Sequence, residues 1–338
     1  VGRSVPYKLS KGVGRSVPYK PSKGVGRKGI EMSFSWIFAI LTGIFILFLA
    51  IYTGGKLLKT GSYVEATTAS QQLSILFDPL DTTFSGAEST SVNMQRQVRI
   101  TNKCFTDGAF GKQEFSVTGS GKEQGVKAKT YHKHVFSNDV LDGKTLNFIT
   151  TPVNLPFLSA SAVSMYAENY CFVSPPSEIE NEIKQLSLKN IIIANSDGEC
   201  SDKEIRVCFG RQCEISVFPL CTSAECGSEY EEGYAVKKNK RVYYLKGLFF
   251  PAIISSPEVY ECVVKRIEMR AQNLAVLYSE QARRMSGMCG ELVESEYLGL
   301  ANSLRVIGSS EGLLSAGLKN AMRRVETNNE GRCCIWKC

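Results

Sequence analysis

Apolar positions along the chain fall into three regimes. From Phe34 to Tyr52 the sequence reads FSWIFAILTGIFILFLAIY, without a single charge. Nineteen residues at helical rise span ~28 Å, close to the hydrocarbon thickness of a bilayer. Trp36 and Tyr52 stand near the two ends, where aromatic belts belong. The run predicts a transmembrane helix within 30–55. The segment Ala50–Gly54 is a poor small-x-small cleavage site, which favours a retained anchor over a removed signal peptide. Leu57, Leu58, Val64, Ala69, Leu73 and Leu76 continue a weak helical pattern up to Pro79, which predicts a stalk over 56–80.

The second regime, 81–252, alternates with a period of two. Val92, Met94, Val98 and Ile100 share one face, with Arg96 spoiling the alternation. Further strands are expected at Glu114–Thr118, His134–Val140 and Leu146–Thr151. After Pro175-Pro176, Ser177 and Glu180 have the spacing of a capping box for a short helix bearing Ile179, Ile183 and Leu186. A strand at Ile191–Ala194 follows, then Glu204–Phe209, Cys213–Phe218 and a hairpin from Tyr234 to Phe250 with Lys237-Lys238-Asn239-Lys240 at its tip. The third regime, 253–338, has helical spacing. Ser256-Pro257-Glu258 supplies an N-cap, a proline at the first helical position and an acid in the first turn. Tyr260, Val263, Val264, Ile267, Ala271, Leu274, Tyr278, Ala282 and Met285 continue that helix to Gly290, and shorter helices fit Glu291–Val306 and Glu311–Val325. The expected fold class is α+β, with one N-terminal transmembrane helix, a β-rich disulfide-containing outer domain and a helical C-terminal part.

Charge orients this picture. Residues 1–28 hold eight basic residues and no acid, so of the net +7 the rest of the chain contributes about −1. A nearly neutral remainder gives no support to a nucleic-acid-binding face. The basic tail outweighs Lys56 and Lys59 beyond the apolar run and places the N-terminus in the cytoplasm, with the bulk outside a cell membrane crossed once. The lipid bilayer is thus the first expected partner. The tail repeats itself: VGRSVPYKLSKG is followed by VGRSVPYKPSKG. With no apolar periodicity it is expected to be disordered. It reads either as a polybasic tether to anionic lipid or as sequence ahead of a start at Val25 or Met32.

All twelve cysteines follow residue 100: Cys104, Cys171, Cys200, Cys208, Cys213, Cys221, Cys226, Cys262, Cys289, Cys333, Cys334 and Cys338. An even number confined to one side of a membrane span predicts disulfides. Cys208-x4-Cys213 and Cys221-x4-Cys226 are wide for structural zinc. The first pair poses a conflict. A two-residue hairpin at Gly210-Arg211 sets Cys208 opposite Cys213, ready to bridge, but mismatches Phe209 with Gln212 and Val207 with Glu214. A three-residue turn gathers Ile205, Val207 and Phe209 with Val217, Ile215 and Cys213 on one apolar face and turns Cys208 away to another partner. Turn chemistry favours the first register and burial the second, with the bridged form slightly preferred. Cys262 and Cys289 flank the long helix, too far apart to pair with each other, and should tie it to other elements. The last three cysteines are expected to pin the chain end.

Catalytic residue types do not converge. His132 and His134 are the only histidines; on a strand they would share a face and could contribute to a metal site, though an exposed polar strand edge explains them better. Neither a metal nor another cofactor is expected. Gly308-Ser309-Ser310-Glu311-Gly312 matches G-x-S-x-G but lies between helices with no later histidine, so the serines read as helix caps. Gly119-Ser120-Gly121-Lys122 lacks P-loop spacing. No catalytic residues are assigned; a Cys/His enzyme or ligand-binding module is the alternative to a structural role.

Arg27-Lys28-Gly29-Ile30-Glu31-Met32-Ser33-Phe34 resembles an archaeal class III, type IV pilin-like signal: basic residues, a small residue, then a long apolar helix. The resemblance implies processing between Gly29 and Ile30, leaving the helix for homo- or hetero-assembly. The expected function is a membrane-anchored extracytoplasmic structural or interaction protein, acting through assembly or adhesion.

Overall fold

The computed structural model describes residues 34–54, 86–118, 127–222, 226, 228–284, 288–331 and 335, without the side chains at 95, 288–292 and 330–331. The tail, the 56–80 stalk, Gly29, Ile30, Met285, the 119–122 segment, the Cys289 side chain and Cys333, Cys334 and Cys338 lie outside the described residues.

Two compact units divide the chain, 1–55 and 56–338. In the first, helix α1 runs Phe34–Gly54, with a mean hydropathy of 2.5 and nothing of its apolar stretch buried. Thr42 and Thr53 donate back to the carbonyls of Phe38 and Leu49, so their hydroxyls are satisfied within the helix. Among the described residues it is the one helix long and apolar enough to cross a membrane.

The second unit mixes helices with two six-stranded sheets. The first sheet holds β1 Glu88–Phe105, β2 Lys112–Thr118, β3 Ala128–Thr130, β4 His134–Phe136, β5 Val140–Asn154 and β6 Leu158–Tyr166, in the order β3-β2-β1-β5-β6-β4. Its pairs are antiparallel apart from β4 with β6. Arg96, which spoils the alternation, falls in a bulge: from Asn93 to Val98 β1 advances five residues while β5 advances two, Thr145 to Gly143. The sheet curls, so that Ile100, Phe115, Val135, Leu146 and Val163 from five strands share one small core. Gln113 on β2 closes the curl against β4. Its Oε1 accepts the Val135 N–H at 2.9 Å and its Nε2 donates to the Val135 carbonyl at 2.7 Å, as a neighbouring strand would. Asn102 on β1 adds a bond from Nδ2 to Ser137 Oγ at 2.9 Å.

The second sheet holds β7 Tyr170–Val173, β8 Ile191–Ala194, β9 Ile205–Phe209, β10 Ile215–Pro219, β11 Gly233–Lys237 and β12 Lys240–Tyr244, in the order β12-β11-β10-β9-β7-β8. Helix α2, Ser177–Gln185, connects β7 to the parallel β8. Its N-cap is Pro176 with no side-chain capping bond, so the expected box at Ser177 does not form; Ser177 already lies inside the first turn. The β11–β12 turn places Lys238 and Asn239 at φ +50° and +61°, the pair of left-handed residues that a two-residue hairpin needs. That hairpin ends at Tyr244 rather than Phe250. Phe249–Ile254 is a short buried helix, α3, because Pro251 cannot donate to a ladder but fits a first helical turn.

Between β9 and β10 the chain corrects both hairpin registers: the strands run parallel, Val207 beside Ile215 and Phe209 beside Val217. Parallel neighbours ordinarily need a long crossover. Here the chain steps back only two residues, ~7 Å of strand, and five residues suffice. Val207, Ile215 and Val217 still enter the main core, while Cys208 lies in a small cluster on the other face with Cys171, Val173 and Ala194. Cys208 also bridges Cys213.

Ser256 caps helix α4, Pro257–Arg283, accepting from Val259 N. The helix stops before the expected Gly290. Helix α5, Met288–Arg305, and helix α6, Ala316–Gly331, follow. Phe136 and Ile149 of the first sheet, Phe172 and Val217 of the second, and Val263, Ile267 and Tyr297 of the helices belong to one core. Among the described residues four disulfides staple this unit: Cys104–Cys262, Cys171–Cys200, Cys208–Cys213 and Cys221–Cys226. The first joins the end of β1 to the second turn of α4 across 158 residues, the third closes only five. Loop-closure entropy therefore predicts a loss of about 4–5 kcal/mol for the C104S/C262S pair and about 2 kcal/mol for C208S/C213S. Urea denaturation of the two variants checks the ranking; equal losses would contradict it.

Candidate functional site

A cavity of about 260 Å³ lies where the 106–111 loop, the 131–134 segment and α4 meet. Phe110, Tyr131, Leu274 and Leu277 supply apolar walls, and His132, His134, Arg266, Arg270 and Asn273 the polar groups. On α4 these residues recur at 266, 270, 273, 274 and 277, one stripe of the helix. It lies beside the apolar stripe that enters the core.

Arg266 is fully buried. Its Nε donates to the Phe110 carbonyl at 3.2 Å, Nη1 to Gln113 Oε1 at 2.8 Å and the Lys133 carbonyl at 2.9 Å, and Nη2 to the Tyr131 carbonyl at 2.9 Å. Every one of these acceptors is neutral. Burial pulls the guanidinium down to about 10, and no carboxylate lifts it; it is still charged at neutral pH. Gly111, at φ +59°, leaves room for this side chain: a Cβ there would stand 2.8 Å from Arg266 Cγ and 2.5 Å from the Phe105 carbonyl. Arg270 donates to the His132 carbonyl at 3.3 Å, and Asn273 to that of Ala109 at 3.4 Å.

The two histidines do not share a strand face. His134 opens β4 and is 2% exposed, whereas His132 sits in the bend before it, exposed, its ring 6.2 Å from that of Phe110. An exposed strand edge therefore does not describe His134. Nδ1 of His134 has no hydrogen-bond partner among the described residues. Burial, then the charges of Arg266, Arg270, His132 and Lys133, hold its imidazole well below the usual histidine range. Such cationic surroundings repel a metal ion and attract an anion.

The other sequence candidates separate from this pocket. Ser310 is buried; its hydroxyl donates to Glu261 Oε1 at 2.5 Å and accepts from Tyr243 N at 2.9 Å, which fixes it as a structural bridge between α4 and β12. Cys221, Cys226 and Glu232 place ligand atoms within 4.8 Å of one another, but the two sulfurs are bonded together and offer no thiolate. Two other buried ionisable groups belong to the packing. Lys237 donates to the Ile253 and Ser255 carbonyls, and burial draws it down to about 7. Burial pushes Glu268 up to about 8, against the pull of Lys265 at 3.2 Å. The residues that sequence reasoning missed are Arg266, Arg270 and Asn273; their helical spacing beside the core stripe was the available signal.

Comparison with protein-family models, curated proteins and solved structures returns no match. The pocket is therefore read on its own chemistry.

The depressed basicity of His134 sets a pH dependence. Below the ordinary value of about 6.5 the unfolded chain takes up a proton that the folded one refuses. Stability from this group is complete above that pH and is lost as the pH falls below it. With two histidines in the chain, ring NMR resolves each one. At about pH 6 the His134 signal should remain that of the neutral imidazole; a largely protonated signal would refute the assignment.

Proposed function

We propose that this chain is a membrane-anchored extracytoplasmic interaction protein, with α1 in the bilayer, the basic tail in the cytoplasm and the disulfide-bonded unit outside. One pairing carries the reading: an apolar helix with no buried part, joined to a separate unit whose eight cysteines with described side chains are all bonded. Disulfides at this density persist in oxidising compartments, and an unburied apolar helix of this length needs a lipid or protein cover. The eight cations of residues 1–28 favour the cytoplasmic side for the tail.

A role in binding or assembly rather than catalysis is supported by the fates of the candidate nucleophiles. Ser310 is locked to Glu261, and no described cysteine side chain carries a free thiol beside His132 or His134. The finer form of the reading is pilin-like processing between Gly29 and Ile30, which would release α1 for homo- or hetero-assembly. The pocket between α4 and the 131–134 segment favours a second reading, an anchored ligand-binding module.

Protease added to intact cells expressing the chain should digest the 56–338 unit and spare the tail. Full protection of that unit would overturn the topology. N-terminal sequencing of the mature protein should begin at Ile30 if pilin-like processing occurs; an intact tail would leave a plain anchored protein.

A further inference from the structure

The cavity on α4 joins two opposed properties. Its outer walls are apolar and open to solvent: Phe110, Tyr131 and Leu277 are among the most exposed large hydrophobic side chains of this unit. Its polar side is cationic, with Arg266 and Arg270 one helical turn apart and both histidines bordering the same space. No acidic residue among the described ones lines it. Arg266 is buried without a counter-charge, and His134, almost wholly buried, keeps a ring nitrogen without a partner. Buried polar groups are ordinarily satisfied, so an unpaired imidazole nitrogen and an uncompensated guanidinium at one cavity mark a place prepared for an acceptor.

We infer that this pocket binds a small carboxylate carried on an apolar or aromatic body, its charged end against Arg270, Arg266 and His134 and its body between Phe110, Tyr131 and Leu277. A divalent cation is excluded by the positive surroundings. A bare inorganic anion would leave the apolar walls unused. At about 260 Å³ the space suits a ligand of one ring and a short arm. The inference deepens the ligand-binding reading, but it depends on the pocket and not on the membrane topology, so either can fail without the other.

The test uses the full chain in detergent micelles, with ¹³C-labelled histidine and 3-phenylpropionate as the probe. Its neutral counterpart 3-phenylpropanamide and inorganic phosphate serve as controls. The probe should move the His134 signal saturably below about 10 mM, while the amide and phosphate at the same concentration leave it in place. Arg270→Gln should weaken the probe about tenfold, the loss expected for one charge-assisted contact, and Arg270→Lys should recover part of it. Leu277→Glu, at an exposed position unsuited to disturb the fold, should also weaken it by placing a negative charge at the rim. An unmoved His134 signal, an equal response to the amide or to phosphate, or undiminished binding by Arg270→Gln or Leu277→Glu would each overturn the inference.

Discussion

The buried guanidinium of Arg266 organises the pocket side of the 56–338 unit. Taking a guanidinium out of water costs several kcal/mol unless its donors are met, and Arg266 meets them with four neutral acceptors. Those acceptors come from the 106–111 loop, the start of β2 and the 131–134 segment, pieces that local sequence does nothing to hold together. Placing the charge fixes all three at once. The arrangement then propagates: Gln113, which accepts from Arg266, also ties Val135 and so closes the curled first sheet. One helical turn earlier, Cys262 bonds the same helix to the end of β1. The covalent link limits how far α4 can drift, and the guanidinium sets its depth.

The second sheet resolves a different tension. Bridging Cys208 to Cys213 and burying Val207, Ile215 and Val217 together are incompatible in an antiparallel hairpin, because a one-residue slip exchanges the faces. In the parallel arrangement both hold. The strands stack with their apolar residues in step, and the five-residue connection leaves the two sulfurs on the opposite face, beside Cys171–Cys200. The disulfide thus closes the tight reversal that makes such a short parallel connection possible.

Features carried by a few adjacent residues were legible in the sequence. The Ser256-Pro257-Glu258 start of α4, the Lys238-Asn239 turn and the unbroken apolar run of α1 all form where the pattern places them. Features that depend on partners distant in sequence were not. Nothing local separates the exposed His132 from the buried His134; the difference comes from packing against segments distant in sequence, among them α4, whose Arg266 holds the 131–134 backbone. Phe249 and Phe250 read as the end of the hairpin because burial on all sides erases periodicity. The bulge in β1 explains Arg96, which no alternation rule accommodates. The pocket was the least legible part. Its members are drawn from 110, 131–134 and 266–277, and only the α4 stripe has an internal spacing to notice.

The amide at position 113 shows how the fold and the pocket's charge are linked. A glutamate there would give Arg266 a full counter-charge, and on electrostatics alone it would be the better partner. It could not serve the sheet. Nε2 of Gln113 donates to the Val135 carbonyl and to Asn102 Oδ1 at 3.2 Å, and a carboxylate would set an acceptor against both. Closing the curled sheet therefore requires a side chain that both donates and accepts, and that requirement leaves the guanidinium without a negative partner. The positive field at the cavity is then a consequence of how the sheet is shut. It is a fixed property of the scaffold, present before any ligand arrives, and so an anion entering beside Arg270 would meet a positive charge already held in place, with little reorganisation left to oppose binding.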